Sequence, residues 1–241
     1  MVLNFLVDIL FPENVCCVCR TPGRFSSRRP WCLECAQEMQ ASQTCLPICD
    51  VCGKYLETEQ KLCQDCRTNP PDFHIARAVG PYDKDGYRIA IKVLKFLGRK
   101  YVAGHMGRWM AEVVKNEPRF WPIDLIIPVP ASLGSLTQRG FNQTELLARH
   151  IARHLKLPMN GNLLVRVKET PAQRELTREE REKNLLCAFK VSDPQRIKGK
   201  KILLVDDVYT TGSTARECTR SLLRAGAERV CVITWATGKG F

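Results

Sequence analysis

From residue 73 onward, short apolar runs alternate with stretches whose apolar residues recur at three-and-four spacing, the marks of strands and helices in turn. The segments "HIARAVGPY" (74–82), "DLIIPVP" (124–130), "KKILLVDDV" (200–208) and "RVCVITWAT" (229–237) predict strands. Between them "YRIAIKVLKFL" (87–97), "YVAGHMGRWMAEVVKN" (101–116), "NQTELLARHIARHL" (142–155) and "STARECTRSLLRAGA" (213–227) predict helices. In the third helix Leu146, Leu147, Ile151 and Leu155 share one face, with Arg149, Arg153 and His154 elsewhere. Almost wholly apolar strands alternating with helices imply a mainly parallel sheet covered on both faces, the α/β class. One stretch has almost no apolar periodicity: "RVKETPAQRELTREEREKNL", beginning at Arg166, reads as a functional loop or a loose surface helix.

Before residue 73 the periodicity fails. Residues 13–70 are cysteine-rich and punctuated by Pro22, Gly23, Pro30, Pro47 and Gly53, and Pro70 and Pro71 then force extended backbone. We expect a cysteine-rich module over 13–70, an α/β domain over 72–241, and a short amphipathic helix over 1–12 that packs on the protein's own core. No run of 18 apolar residues predicts a membrane span, and no secretory signature precedes the cysteines, so the expected setting is the cytoplasm.

The chain has 13 cysteines, ten of them between Cys16 and Cys66, a density that without a secretory signal points to metal rather than disulfides. They form four C-x-x-C pairs: Cys16/Cys19, Cys32/Cys35, Cys49/Cys52 and Cys63/Cys66. Each such turn brings two thiolates within reach of one metal, and two turns complete a tetrahedral shell for structural zinc. Sequential pairing gives two sites; a crossed arrangement, with the first and third pairs sharing a metal, is also open. Gly53 follows the third pair as in a zinc knuckle, whereas Arg20 follows the first, which weakens that site. Cys17 and Cys45 read as spare thiols, and Cys187, Cys218 and Cys231 as small buried hydrophobes.

Of 241 residues, 44% are hydrophobic and 26% charged, enough for a real core, and the net charge of +12 favours an anionic partner, nucleic acid or a phosphorylated metabolite. The chemistry concentrates in "ILLVDDVYTTGST" (202–214). An apolar strand ends in Asp206 and Asp207 and runs into Thr210, Thr211, Gly212, Ser213 and Thr214 before a helix. The first backbone N–H groups of that helix lack internal partners and favour an anion. A P-loop is excluded, since no lysine follows the glycine, and G-x-G-x-x-G is absent. Two acids beside a phosphate cradle suit a sugar phosphate, the carboxylates taking vicinal hydroxyls.

"VDDVYTTGST" resembles the phosphoribosyl diphosphate (PRPP) motif of type I phosphoribosyltransferases. The resemblance implies that Asp206 and Asp207 contact ribose, that Thr210 to Thr214 hold its 5-phosphate, and that Mg²⁺ accompanies the diphosphate. It also implies a diphosphate-binding loop at Val129, Pro130 and Ala131 and a lid over 166–184 that excludes water. Across nearly the whole chain, "LKFLGRK", "IPVP", "RGFNQTELLAR", "TPAQRELTREEREKNL" and the cysteine pairs are similar to the ComF family, which includes ComFC and GntX-like proteins. Lys95, Arg139, Asn142 and Gln143 match its recurrent positions. Catalytic roles for Arg139 and Lys95, neutralising a leaving group, follow from that match; Asn142 also suits an N-cap. The implied function is ribosyl 5-phosphate transfer to an unknown acceptor, whose pocket must use 72–100 or the cysteine module. The alternative is a competence factor that binds single-stranded DNA and meets competence or recombination proteins, although aromatic content of only 7% shows no regular stacking platform.

Overall fold

A computed structural model of the chain describes residues 15–23, 30–43, 46–168 and 188–240. The expected helix over 1–12, Cys45, Cys187 and residues 169–184 of the expected lid lie outside these segments.

Each predicted strand forms. β1 (Ile75–Pro81), β2 (Leu125–Pro128), β5 (Lys201–Tyr209) and β6 (Arg229–Thr237) make one sheet in the order β1-β6-β5-β2, with every pair parallel. The register sets Val205 beside Ile233 and Leu125 beside Ile202. β5 and β6 therefore lie in the interior, flanked on both sides, which is why their sequences are the most uniformly apolar. A further bridge from Ile126 to Met159 extends the pairing beyond β2.

Because side chains alternate across a strand, the sheet has two cores. Leu203, Val205, Ile233 and Trp235 join one, packed beneath α3 (Asp85–Phe96), α4 (Val102–Asn116) and α6 (Gln143–Leu155). Leu147 and Ile151, on the predicted apolar face of α6, are fully buried there. Ile202, Leu204, Val230 and Val232 join the other core, beneath α7 (Ser213–Arg224) and a small antiparallel pair, β3 (Leu164–Arg166) with β4 (Phe189–Val191).

The cysteine pairs divide between the two cores. Cys16 and Cys35 belong to the first core, together with α1 (Leu33–Ala41), whereas Cys49, Cys52, Cys63 and Cys66, with α2 (Gln64–Thr68), belong to the second. The two ribbons thus sit on opposite faces of the sheet. No helix among the described residues is long and apolar enough to cross a membrane.

Three elements of this domain had no periodic signal. The helix α5 (Leu133–Arg139) has no buried residue and is held by Ser132, whose side chain accepts from the Ser135 amide at 3.2 Å. The strands β3 and β4 have three residues each, too short to show alternation.

Candidate functional site

The carboxyl ends of β2 and β5 open into a cleft of about 460 Å³. Its walls come from the end of α3, the β2–α5 loop, the start of α6, Arg166 of β3, and the β5–α7 loop. Of the residues singled out from sequence, Lys95, Val129, Pro130, Ala131, Arg139, Gln143, Asp206, Asp207, Thr210 and Thr214 all line it. Phe96 and Ser135 also line it, unmarked in the linear pattern, as does Arg166, the first residue of the expected lid, which the structure places in β3 instead.

Asp207 is the hub. Only 6% exposed, it holds Lys95 Nζ at 2.7 Å and accepts from Gln143 Nε2 at 2.6 Å. Gln143 in turn accepts from Arg139 Nη1 at 2.9 Å, and the Arg139 guanidinium lies over the Phe96 ring, 5.4 Å from its centroid. One carboxylate thereby orients two cations, one directly and one through an amide. Asp206 has a different environment: burial and the adjoining Asp207 carboxylate push its pKa up to about 7. Its Oδ1 accepts from the Asp207 amide at 2.8 Å.

The turn after β5 shows how the hydroxyls are divided. Thr211 and Ser213 pair through their side chains at 2.8 Å, and the Ser213 amide donates to Thr211 Oγ1 at 3.4 Å. Thr210 and Thr214 are left facing the cleft. Gly212 is the N-cap of α7 in the left-handed conformation, φ 79°, and makes no side-chain cap. Three helices begin at this cleft. α5 is capped by Ser132 and α6 by Asn142, whose side chain accepts from the Thr144 amide at 3.2 Å. α7 alone of the three lacks a cap from its N-cap residue, and with the Ser213 amide turned to Thr211 Oγ1 the amides that follow it are the ones an anion would use.

The β2–α5 loop departs from the simplest expectation. The Val129 amide donates to Val205 at 2.9 Å, and its carbonyl accepts from Thr144 Oγ1 at 2.5 Å and Asn142 Nδ2 at 3.3 Å. With Val129 engaged internally and Pro130 lacking an N–H, Ala131 is the one of the three with an amide to offer. Asn142 does cap its helix, and it also pins the loop.

The cysteines group sequentially. The ligand atoms of Cys16, Cys19, Cys32 and Cys35, and separately those of Cys49, Cys52, Cys63 and Cys66, lie within 4.8 Å of one another. Both sets fit a tetrahedral thiolate shell. Backbone amides support the sulfurs: the Cys32 amide donates to Cys16 Sγ at 3.2 Å and the Cys35 amide to Cys32 Sγ at 3.4 Å. Arg20 adopts φ 67°, the conformation of Gly53 at φ 70° in the second knuckle, so the first turn forms despite the side chain. Zinc in four thiolates carries net negative charge, and the second set has buried cations nearby. Arg77 donates to the Cys49 and Asp50 carbonyls at 3.4 and 3.1 Å, and Lys54 pairs with Asp65 at 2.8 Å.

Comparison with known proteins agrees with this geometry. Residues 143–239 match the phosphoribosyl transferase domain family, and residues 6–67 the double zinc ribbon domain family. Competence protein F of Haemophilus influenzae is 32% identical over 190 residues, 77% of this chain and 82% of that protein. DNA utilization protein YhgH of Salmonella typhimurium is 30% identical over 229 residues, covering 93% of this chain and 97% of the relative. Competence protein ComFC of Bacillus subtilis is 27% identical over 190 residues, 74% of this chain and 72% of that protein. With a double zinc ribbon on a phosphoribosyltransferase fold and such relatives along most of its length, the chain belongs to the ComF family.

Proposed function

We propose that the cleft binds PRPP with Mg²⁺ and that the protein transfers ribosyl 5-phosphate to an acceptor, releasing diphosphate. The observation that carries this reading is the acid pair standing in one cleft with the uncapped amino end of α7. Asp206 and Asp207 would accept from the vicinal ribose hydroxyls, while the α7 amides with Thr210 and Thr214 hold the 5-phosphate. Lys95 and Arg139, on the cleft wall, would neutralise the diphosphate as it leaves with its bond electrons, and Ala131 would contribute an amide. Mg²⁺, when bound with the diphosphate, would neutralise part of its charge. The two tetracysteine sets would each hold one structural zinc, and a reducing compartment such as the cytoplasm suits their thiols.

Calorimetry with PRPP and Mg²⁺ tests the reading. Wild type should give a saturable heat, and Asp206→Asn and Asp207→Asn should each weaken binding at least tenfold. Absence of wild-type heat would sink it.

A second reading is favoured by the net charge of +12 and by relatives named for competence and DNA utilization. In it the chain binds single-stranded DNA, and PRPP binding regulates that contact. Binding should then weaken steeply with salt, because each neutralised phosphate releases counterions. A salt-insensitive isotherm, or none, counts against it.

A further inference from the structure

The second tetracysteine set lies directly behind the phosphate loop. α2, which carries Cys66, ends near Asn69, and the Asn69 carbonyl accepts from Arg216 Nη2 at 2.6 Å. Arg216 is in the first turns of α7 and only 3% exposed, and its Nε and Nη1 have no hydrogen-bond partner among the described residues. A buried guanidinium left so poorly satisfied is costly unless a nearby negative charge compensates it. Tyr209 bridges the same two regions. Its ring packs edge-on to Phe73 at 6.1 Å, and its hydroxyl lies within electrostatic reach of Cys52, Cys66, Cys63 and Arg216. On its other side it supports the loop, since a Cβ at Gly212 would fall 2.2 Å from the Tyr209 hydroxyl oxygen. The Cys16 set is on the opposite face of the sheet and makes no such approach.

We propose that Arg216 and Tyr209 are positioning residues that tie the phosphate loop to the Cys49 centre, so that zinc at that centre, and not at the Cys16 centre, sets the loop's affinity for a phosphorylated ligand. Four thiolates around one zinc leave a net negative charge, which is the compensation Arg216 lacks. With Arg216 drawn toward the metal centre, the start of α7 and the Tyr209 ring beneath Gly212 are held in one arrangement. Without zinc, the guanidinium loses its counter-charge and the loop its support. This rests on the PRPP reading for the identity of the ligand, but its structural half does not.

The experiment uses the full chain with zinc content measured by elemental analysis. Cys32→Ser should retain one zinc and bind Mg²⁺–PRPP as wild type does, whereas Cys63→Ser should retain one zinc and bind at least tenfold more weakly. Because Cys63→Ser also risks misfolding, Arg216→Met is made in parallel. It should keep two zincs and a cooperative melt, yet weaken PRPP about tenfold and speed amide hydrogen exchange across 209–216. Arg216→Met with wild-type affinity and exchange, or equal weakening by Cys32→Ser and Cys63→Ser, overturns the proposal. If wild type binds no PRPP, the functional reading fails separately and exchange still decides. Protection of 209–216 that disappears when a chelator removes zinc from Cys32→Ser supports the coupling, and unchanged protection overturns it.

Discussion

Asp206 is a cleft residue whose ionisation the fold shifts strongly. Its pKa is raised from 3.8 to about 7, so the folded state favours the neutral carboxyl. Its stabilising contribution is fully present below the ordinary value and is lost as pH rises through about 7. The melting temperature of Asp206→Asn minus that of wild type should therefore grow between pH 5 and pH 8; a difference independent of pH would contradict the burial argument. The glycines make a matching contrast. Gly53 combines φ 70° with a would-be Cβ only 2.7 Å from the Ala76 carbonyl oxygen, so Gly53→Ala should cost about 1–3 kcal/mol by urea denaturation. Arg20 accepts the same backbone geometry, and the presence of arginine there was a poor guide to whether the turn could form. Sequence reading located Asp206, Asp207 and the Thr-Gly turn because they are contiguous. It could not see that Lys95 and Gln143 converge on Asp207, nor that Phe96 lies under Arg139, since these contacts join positions far apart in the chain.

Among elements, α6 shows how one residue can serve two ends. Asn142 caps the helix and binds the Val129 carbonyl, so Asn142→Ala should lose about 1 kcal/mol for the cap alone, and more if the β2–α5 loop loosens. Asn142→Asp should restore the cap but not the donation to Val129, and comparing the two by denaturation and by ligand binding separates the roles. The long periodic helices and the four sheet strands were legible because their apolar faces are read directly from spacing. α5 was not, because it buries nothing and exists by virtue of Ser132 and its place between β2 and α6. β3 and β4 were hidden for another reason: their pairing is non-local, and three residues carry no usable period.

At the scale of the whole molecule, the ribbons behave as cladding for the sheet. The Val51 carbonyl accepts from Ala76 of β1 at 2.8 Å, the Gly240 amide donates to Tyr55 at 2.8 Å, and Trp31 packs against Trp109 and Trp235. Calorimetric unfolding should show one cooperative transition, displaced downward by a zinc chelator; two separated transitions would mean that the cysteine region folds by itself. The strand order carries a further consequence for biosynthesis. β5 and β6 form the middle of the sheet but are translated after β1 and β2, so β1 and β2 emerge from the ribosome without the strands that later join them into one sheet. The knuckles can close early on local contacts, while part of their docking surface, Trp235 and Gly240, arrives last. Such late closure slows folding and leaves apolar edges waiting, making the nascent chain, rather than the finished protein, the form most in need of a chaperone.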